Sequence, residues 1–328
     1  NINKRMNGNT MIIVTGGAGF IGSNIVKGLN LKGRTDIIVV DDMEDGHKCF
    51  NLADCVIADY VHFEDFLFML QSGEPLPWEI DAVSHQGACT DTTEWDGEYM
   101  MRVNFEFSKH LLNHCLKQNI PFVYASSASV YGAGTDFRIT AETEKPINVY
   151  AWSKLVFDQY VRRVIDGASS QIAGLRYFNV YGPNEYHKAG MASVMLHFYR
   201  QLRDANQVRL FSGCDGYSDG EQRRDFIHVD DVVKVNLWLL DNPDKSGVFN
   251  LGTGGSRTFN DVAKAAVGWN GSGDISYIPF PDSLQGSYQS FTEADITGLQ
   301  AAGYNDKFIA IEEGVPMYLD FLKTNGRP

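Results

Sequence analysis

The sequence lacks the features of several protein classes. None of its apolar runs reaches the roughly twenty residues that a membrane helix needs, so we expect no transmembrane segment and no membrane partner. Its five cysteines form no Cys-x-x-Cys pair, and neither they nor the histidines have the spacing of metal ligands. We therefore expect no metal site and interpret the cysteines as reduced thiols of a cytoplasmic protein. They are Cys49, Cys55, Cys89, Cys115 and Cys214.

Basic residues are also scarce. The chain has 28 Lys and Arg residues against 41 Asp and Glu residues, and its net charge is −13. This balance argues against a nucleic-acid partner, because non-specific binding to a phosphate backbone needs positive charge. An anionic substrate would need basic side chains close to it. With 328 residues, of which 44% are apolar, the chain is expected to be soluble and globular, with one large domain or two smaller ones.

What the sequence does contain is a glycine-rich turn after an apolar run. Residues 11–14 are apolar and predict a buried strand. Three glycines follow at the spacing G-x-x-G-x-x-G: Gly16, Gly19 and Gly22. Glycine lets the backbone approach a ligand closely, and the first turn of a helix offers N–H groups to an anion, so the turn predicts a pyrophosphate site. The next strand, 36–40, ends in Asp41 and Asp42, where a carboxylate can bind ribose hydroxyls, which favours a dinucleotide.

Strand and helix patterns alternate through the first half of the chain. The strand patterns lie at 36–40, 80–85, 121–126 and 171–177, and the helical patterns at 20–32, 64–70, 97–118 and 150–164. This alternation predicts an α/β fold with a Rossmann-type doubly wound parallel sheet. We expect a polar tail or upstream addition at 1–10, a dinucleotide-binding domain at 11–180 and a smaller α/β substrate domain at 181–328. A segment near 225–252 is expected to return to the first domain.

Tyr150 and Lys154 are four residues apart on a predicted helix and therefore lie on one face. Ser127 ends the strand before them, at the sheet edge that carries the glycine turn. A neighbouring ammonium and a cationic nicotinamide ring would lower the pKa of a tyrosine, so the three residues form a candidate acid–base device. An isolated Tyr-x-x-x-Lys is more often a surface tyrosine and a solvated lysine. The glycine turn and Ser127 reverse that preference here.

These motifs together resemble a known family. Thr-Gly-Gly-Ala-Gly-Phe-Ile-Gly at 15–22, Ser127, Tyr150-x-x-x-Lys154 and Arg-Asp-Phe-Ile-His-Val at 224–229 are similar to the extended short-chain dehydrogenase/reductase family of nucleotide-sugar epimerases and dehydratases. Further segments resemble the branch of that family that acts on ADP-heptose. They are Thr-Thr-Glu-Trp-Asp-Gly at 92–97, Asn-Val-Tyr at 148–150, Phe-Asn-Val-Tyr-Gly-Pro at 178–183, His-Lys at 187–188, Met-Ala-Ser-Val at 191–194 and Tyr-Ile-Pro-Phe-Pro at 277–281.

The resemblance implies a reaction. ADP-D-glycero-D-manno-heptose would be inverted at C6 through a transient 6-keto sugar, giving the L-glycero epimer used in lipopolysaccharide core assembly. Tyr150 and Lys188 would move protons on opposite sides of the sugar, although spacing alone favours a phosphate contact or a solvated charge for Lys188. Lys154 would hold the cofactor ribose, and Ser127 would hydrogen-bond the reacting hydroxyl. The resemblance also implies a homo-oligomer, namely a pentamer.

The resemblance assigns further residues to two sides of the site. On the cofactor side are Gly16, Gly19, Phe20, Ile21, Gly22, Asp41, Asp42, Lys48, Gln86, Gly87, Ala88, Cys89, Thr90, Asn104, Tyr150, Lys154 and Val180. On the substrate side are Ser127, Asn179, Lys188, His197, Phe211, Ser212, Gly213, Arg224 and Tyr288. Arg224 is suited to a forked contact with the ADP pyrophosphate. Taken singly, the aromatics are more often packing residues and Arg224 a surface ion pair.

The cofactor preference is less sharply indicated. Related heptose epimerases use an Asp-Asn pair and two lysines around the 2′-phosphate of NADP. This chain has Asp41-Asp42, keeps Lys48, and has Phe63 where the second lysine is expected. A second carboxylate near a phosphate is unfavourable. We therefore expect NADP as the cofactor, with NAD as a working substitute.

Three other functions remain as alternatives. A nucleotide-sugar 4,6-dehydratase would need an extra acid–base pair after Ser127, where this chain has Ala128 and Ser129. A UDP-hexose 4-epimerase is closer in chemistry, and the His187-Lys188 pair disfavours it. A catalytically silent dinucleotide-binding regulator would be expected to have lost Tyr150 or Lys154.

Overall fold

The computed structural model describes residues 10–282 and 288–325, so all but the last residue of the expected tail at 1–10 lies outside the described residues. The strands are β1 Met11–Thr15, β2 Ile37–Asp41, β3 Asp59–His62, β4 Ile80–His85, β5 Phe122–Ser127, β6 Ile172–Tyr177, β7 Asn179–Tyr181, β8 Gln207–Phe211, β9 Arg223–Arg224, β10 Phe226–His228, β11 Gly247–Leu251, β12 Arg257–Thr258 and β13 Asp274–Ile278. The α-helices are α1 Phe20–Leu31, α2 Cys49–Leu52, α3 Phe63–Ser72, α4 Gly97–Met100, α5 Phe107–Gln118, α6 Val149–Val164, α7 Val194–Ala205, α8 Val229–Asp241, α9 Phe259–Asn270, α10 Thr297–Ala302 and α11 Ile311–Thr324.

A seven-stranded sheet has the order β11-β6-β5-β4-β1-β2-β3. The strands from β5 to β3 pair in parallel, and Thr15 at the end of β1 lies level with Val40 of β2 and His85 of β4. The near-continuous burial of β1 and β2 explains their unbroken apolar sequences, because helices cover both faces of a parallel sheet. The strand order reverses between β1 and β4, which is where Rossmann-type folds bind their ligands. The predicted fold class is confirmed.

The chain divides into two compact units. The first contains the described residues up to Val130, Asn148–Arg176 and Val232–Phe249, and the second contains Tyr131–Ile147, Tyr177–Asp231 and the described residues from Asn250 onward. The segment that returns to the first unit, Val232–Phe249, is thus shorter than the expected 225–252. Residues 131–147, which we expected in the first domain, belong to the second unit.

Each unit has its own apolar core. In the first unit, side chains of the sheet pack with α3, α5 and α6, and Phe122, Phe107 and Phe66 are among the fully buried ones. In the second unit, α7, α9 and α11 pack together around Met195, Val262 and Leu319. Three two-stranded sheets complete the second unit: β10 with β7, β12 with β9 and β13 with β8.

The helical pattern at 97–118 corresponds to three consecutive helical segments. α4 is followed by a π-helical turn, Met101–Glu106, and then by α5. Asp96 caps the start of α4 by accepting from the Tyr99 amide, and Asn119 ends α5 in a left-handed conformation. The π-helical turn contains the buried Asn104, and π-helical turns are frequent at functional sites.

Two further observations concern membranes and metals. None of the helices in the described ranges combines the length and the hydropathy needed to cross a bilayer. Within the same ranges, no group of three or more His, Cys, Asp or Glu side chains is arranged to hold a metal ion. The thiols of all five cysteines are free, and Cys115 is buried in the first core.

Candidate active site

The glycine turn lies where the loops after β1 and β4 meet. Gly16 has φ +62°, and a Cβ added to it would lie 2.7 Å from the Gly87 Cα atom. A Cβ on Gly22 would lie 2.0 Å from the Gly16 carbonyl oxygen. No side chain larger than hydrogen fits at either position without moving backbone. The turn is therefore packed as tightly as a cradle for a pyrophosphate requires.

The turn leads directly into α1. Gly19 is the N-cap residue, and within the described part of the chain no side chain caps this helix end. The first-turn residues Phe20, Ile21 and Gly22 present their amides at the positive end of the helix. This end of α1 is suited to an anion, as the glycine spacing predicts.

Asp41 and Asp42 lie at the end of β2, beside the glycine turn. The Asp41 carboxylate accepts from the Ala18 amide at 2.9 Å, and Lys48 Nζ donates to Asp41 at 2.9 Å and to Asp42 at 2.6 Å. Burial favours neutral Asp42, but its contacts with Lys48 outweigh burial, and the pKa of Asp42 is lowered. Burial also disfavours charged Lys48, yet the two carboxylates raise the pKa of Lys48. The three groups form one charged cluster.

Phe63 belongs to the apolar core of the first unit. It is the first residue of α3, and its ring packs edge-on against Phe107 with the ring centroids 4.9 Å apart. It therefore supplies no polar contact to the charged cluster at Asp41, Asp42 and Lys48. Of the two positions at which lysines were expected, 48 and 63, only position 48 has a lysine.

A buried chain of hydrogen bonds connects the glycine turn to the π-helical turn. The Gly87 amide donates to Thr15 Oγ1 at 3.0 Å, and Thr15 Oγ1 lies 2.6 Å from His85 Nδ1. His85 Nε2 lies 2.7 Å from Ser108 Oγ, which donates to the Asn104 carbonyl at 2.6 Å. All of these hydrogen bonds form when the neutral His85 ring carries its proton on Nε2, because Nδ1 then accepts from Thr15 and Nε2 donates to Ser108. Burial, and then the charge of Lys154, lowers the pKa of His85 to about 3, which keeps it neutral.

The predicted cofactor residues 86–90 are held by the same network. Gln86 donates its backbone amide to the Thr15 carbonyl, and the Cys89 amide donates to Asn104 Oδ1 at 2.8 Å. Asn104 Nδ2 in turn donates to the Cys89 carbonyl and to Ser153 Oγ, both at 3.0 Å. Asn104 is buried, so it shapes the loop that contains Ala88 and Thr90 through backbone contacts.

Ser127 and Tyr150 are brought together in the first unit. Asn148 caps α6 by accepting from the Ala151 amide at 2.8 Å, which places Tyr150 in the first turn of that helix. Ser127 ends β5, and its hydroxyl is close enough to the Tyr150 phenol to affect the pKa of that group. Burial raises the pKa of Tyr150, and the Ser127 hydrogen bond opposes that rise. The lowering that we expected depends on a nicotinamide ring as well as on Lys154, and it stays a prediction for the enzyme with bound cofactor.

Lys154 lies one turn along α6 from Tyr150 and is itself buried. Its Nζ donates to the Ala125 carbonyl of β5 at 3.1 Å. Burial lowers the pKa of Lys154 to about 8, and the charge of Asp158, one turn further on, opposes that shift. Asp158 accepts from Arg176 Nε at 2.9 Å, and both side chains are 0% exposed. Asp158 and Arg176 were not singled out from the sequence, although Asp158 continues the four-residue spacing of Tyr150 and Lys154.

Arg224 and Tyr288 are brought together in the second unit. The Arg224 guanidinium lies 4.7 Å from the Tyr288 ring centroid, in a cation–π arrangement. Burial lowers the pKa of Arg224, whose side chain is 7% exposed in total. Among the described residues it makes no ion pair, unlike the buried Arg34 and Arg176. A desolvated cation of this kind is suited to a phosphate.

Other predicted substrate residues lie in the same unit. Phe211 ends β8 and packs edge-on against Phe280, which packs on Tyr288. Ser212 donates its amide to the Ile278 carbonyl at 2.8 Å, and the Gly213 amide donates to Asp219 at 2.8 Å. These contacts order the loop after β8 close to Tyr288.

Asn179, Val180 and His197 also belong to the second unit. β7 pairs in parallel with β10, so that Asn179 lies opposite Phe226 and Val180 opposite Ile227. Asn179 Oδ1 accepts from Thr292 at 3.2 Å. His197 is half-buried on α7, and burial, then the charge of Arg200, lowers its pKa.

Lys188 lies on a short 3-10 turn, Tyr186–Met191, that precedes α7. Burial lowers the pKa of Lys188, and the charge of Glu185 opposes that shift. The next residue, Ala189, has φ 44° and ψ −118°, a conformation that favours glycine. A half-buried lysine on a strained turn has the features of a functional group rather than of a solvated charge.

The chain was then compared with known proteins. A model of the NAD dependent epimerase/dehydratase family matches residues 12–252. The chain belongs to this family. A curated relative, the ADP-L-glycero-D-manno-heptose-6-epimerase of Alkalilimnicola ehrlichii, is 59% identical over 310 residues, which cover 94% of this chain and 97% of the relative.

Solved structures of the epimerase family have the same fold. The ADP-L-glycero-D-manno-heptose-6-epimerase of Helicobacter pylori superposes with a TM-score of 0.81 at 28% identity, over 97% of this chain and 98% of that one. The UDP-glucose 4-epimerase of Thermus thermophilus in complex with NAD superposes with a TM-score of 0.75 at 26% identity, over 96% and 99%. The resemblance predicted from the motifs is confirmed, and the epimerase family is NAD dependent by its description.

Proposed function

We propose that this chain is an isomerase that inverts C6 of the heptose in ADP-D-glycero-D-manno-heptose and so serves the synthesis of lipopolysaccharide core heptose. The observation that supports this most strongly is the 59% identity, over 94% of the chain, to a curated ADP-L-glycero-D-manno-heptose-6-epimerase. Ser127 and Tyr150, with Lys154 one helical turn along α6, supply groups that the oxidation of a hydroxyl requires.

A bound nicotinamide dinucleotide would accept the hydride of C6 and return it to the opposite face of the sugar. In the first half of the reaction, one of Tyr150 and Lys188 takes the proton of the C6 hydroxyl while the C6–H bond breaks and a C=O bond forms. In the second half, the other residue gives a proton to that oxygen as the new C6–H bond forms. Ser127 holds the reacting oxygen by a hydrogen bond, and Lys154 binds the ribose. The sugar is balanced, because one hydride and one proton leave it and one of each returns. A proton exchanged with solvent then restores Tyr150 and Lys188 to their starting forms.

Arg224 is proposed to bind the ADP pyrophosphate. Its guanidinium is desolvated and stacked on Tyr288, so its donor fork is held in one orientation before the substrate arrives. A pre-ordered cation loses less entropy on binding an anion than a mobile one does. The loop that contains Phe211, Ser212 and Gly213 would complete the nucleotide-sugar side, with His197 and Asn179.

The residues of the first unit fit a dinucleotide, because Gly16 and Gly22 let the turn pack closely on backbone and no side chain of the described residues caps the start of α1, where amides can bind a pyrophosphate. We propose NADP as the preferred form, with NAD as a working substitute. Lys48 supports binding of a 2′-phosphate, whereas Asp41 and Asp42 share its charge and weaken the preference. Equilibrium titrations with NADP and NAD test this, and Asp42→Asn should raise the affinity ratio in favour of NADP. Tighter binding of NAD in both proteins would contradict it.

A homo-oligomer, namely a pentamer, is also proposed from the family resemblance. Analytical ultracentrifugation of the full chain measures its mass directly. A monomer at micromolar concentration would exclude this proposal without affecting the assignment of the reaction.

The decisive experiment is incubation with ADP-D-glycero-D-manno-heptose, followed by NMR analysis of the product. We expect the L-glycero epimer from wild type, and a loss of about 100-fold or more in turnover for Tyr150→Phe and for Lys188→Met, with the cofactor still bound. Tyr160→Phe, on the same helix, is the control and should behave as wild type. Absence of C6 inversion together with turnover of UDP-glucose would establish a UDP-hexose 4-epimerase instead.

A further inference from the structure

Glu185 is a fully buried carboxylate next to the turn that carries Lys188. Its side chain is 0% exposed. It reaches along the chain to Ser193, the N-cap residue of α7, and accepts from the Ser193 amide at 2.6 Å and from the Ser193 hydroxyl at 2.5 Å. On its backbone side, the Glu185 carbonyl accepts from the Lys188 amide at 3.0 Å. Glu185 therefore closes the turn Tyr186–Met191 at both ends.

The position of this carboxylate suits a negative charge. It lies at the start of α7, where the helix dipole and the Ser193 donors favour an anion. Burial raises the pKa of Glu185, while the Ser193 hydrogen bonds and then the charge of Lys188 oppose that rise. The coupling is mutual, because the Glu185 charge also opposes the effect of burial on the pKa of Lys188. Glu185 and Lys188 thus act as a pair.

The other titratable groups around this pair come from three elements. Tyr186 is on the same turn, Tyr318 is on α11 and Arg200 is on α7. Burial, and then Glu185, raises the pKa of Tyr318 well above its usual value, so Tyr318 stays neutral over the working pH range of the enzyme. Arg200 acts on Tyr318 in the opposite sense. Glu185 is therefore the group whose charge is placed to control Lys188.

We propose that Glu185 is a positioning residue for Lys188, which holds the turn Tyr186–Met191 against the start of α7 and places a buried carboxylate three residues before Lys188. This inference rests on the proposed function, in which Lys188 exchanges a proton with the sugar. Without the carboxylate, the turn would lose its contacts with Ser193, and Lys188 would lose a nearby negative charge.

The test variant is Glu185→Gln, which keeps the shape of the side chain and removes its charge. Glu293→Gln is a matched control in the same unit, since Glu293 accepts from a serine amide and hydroxyl in the same way, at 2.9 and 2.7 Å from Ser256. The titration of Lys188 is followed by NMR of isotopically methylated lysines in the full chain, assigned with Lys188→Met. Turnover is measured against pH in parallel.

We expect Lys188 to titrate at lower pH in Glu185→Gln and at the wild-type pH in Glu293→Gln. Turnover should fall about tenfold or more in the first variant, with little change in KM. Lys188→Met should lack the limb of the pH profile that reports Lys188. In Glu185→Gln that limb should move to lower pH, because a lysine that loses a negative neighbour gives up its proton more readily. Glu185→Asp, which restores the charge on a shorter side chain, should recover the Lys188 titration but only part of the turnover.

An unchanged Lys188 titration in Glu185→Gln would overturn the inference. If Glu185→Gln does not fold, Glu185→Asp decides, and wild-type turnover in that variant would show that the side chain holds nothing that catalysis needs. A shifted Lys188 titration together with wild-type epimerisation by Lys188→Met would instead remove Lys188 from the proposed mechanism. In that case the coupling between Glu185 and Lys188 would stand, so the two failures are distinguishable.

Discussion

Replacing Asp158 tests how the buried hydrogen bonds next to Lys154 contribute to stability and activity. Its carboxylate accepts three side-chain hydrogen bonds, each at 2.9 Å, from Tyr124, Ser126 and Arg176. Asp158 and Arg176 are both 0% exposed. Replacing Asp158 by Asn keeps the volume of the side chain and removes its charge. The buried guanidinium of Arg176 then loses the carboxylate to which its Nε donates.

The magnitude follows from that burial. Removing one partner of a buried ion pair costs about 3–5 kcal/mol, because the remaining charge is not solvated. We expect Asp158→Asn to lower the free energy of unfolding by this amount. The double variant Asp158→Asn with Arg176→Gln should recover part of it, since no unpaired charge remains. Asp136→Asn is the control, because the pair of Asp136 with Arg138 is exposed and its loss should change stability little.

The same variant should change the pH dependence of activity. The pKa of Lys154 is about 8, lowered by burial and held up by Asp158, so the ammonium is lost as pH rises through about 8. The alkaline limb that reports Lys154 should lie near that pH in wild type. Removing the carboxylate lowers the pKa of Lys154 further, so this limb should move to lower pH in Asp158→Asn.

Urea unfolding, followed by circular dichroism, measures the free energy of unfolding. Initial rates from pH 6 to 10 measure the pH at which activity falls on the alkaline side. A free energy of unfolding within about 1 kcal/mol of wild type would refute the stability argument, because the expected loss for a buried pair is about 3–5 kcal/mol. An unshifted alkaline limb in a folded Asp158→Asn would show that Asp158 does not act on Lys154.

Three further predictions follow from single positions. Gly22→Ala should abolish dinucleotide binding, measured by cofactor content, because its Cβ would lie 2.0 Å from a carbonyl oxygen, whereas Gly167→Ala, which meets nothing within 4 Å, should bind normally. Arg224→Met should weaken binding of the nucleotide sugar about 10- to 100-fold by calorimetry, because a hydrogen bond to a charged group contributes about 1.5–3 kcal/mol. Ala189→Gly should raise the free energy of unfolding by about 1 kcal/mol in urea, because it relieves the strain at φ 44°.

Each of these has an outcome that contradicts it. Full cofactor content in Gly22→Ala would mean that the glycine turn can open without loss of the site. Unchanged affinity in Arg224→Met would place the pyrophosphate elsewhere. A destabilised Ala189→Gly would mean that the alanine methyl contributes more packing than the backbone strain costs.

The elements that the sequence predicted best are those whose signals are local. The glycine turn, the strand Ile80–His85 and the start of α6 near Tyr150 each depend on neighbouring residues, and the structure has them where they were predicted. The short strands of the second unit were missed. β13 pairs with β8 across more than sixty residues, with Tyr277 opposite Leu210, and no pattern within either strand reveals its partner.

The residues of the candidate site likewise include some that local sequence patterns predicted and some that they did not. The spacing of Ser127, Tyr150 and Lys154 predicted an acid–base device, and the structure has Ser127 close enough to Tyr150 to affect its pKa. The catalytic role of the three residues stays a prediction. His85 and Glu185 were not singled out. No motif in the sequence marks either residue. The fold brings His85 to Thr15 and Ser108, and it brings Glu185 to Ser193 and to the turn that carries Lys188.

The fold class, the family and the candidate catalytic groups were predictable from the sequence, because glycine spacing, apolar runs and residues four apart on a helix are local signals. The pKa values of those groups depend instead on the three-dimensional surroundings. Burial lowers the pKa of Lys154 and raises that of Tyr150, and the opposing effects come from Asp158 and Ser127, which the fold supplies. Desolvation depends on everything that surrounds a side chain, so no linear pattern contains it.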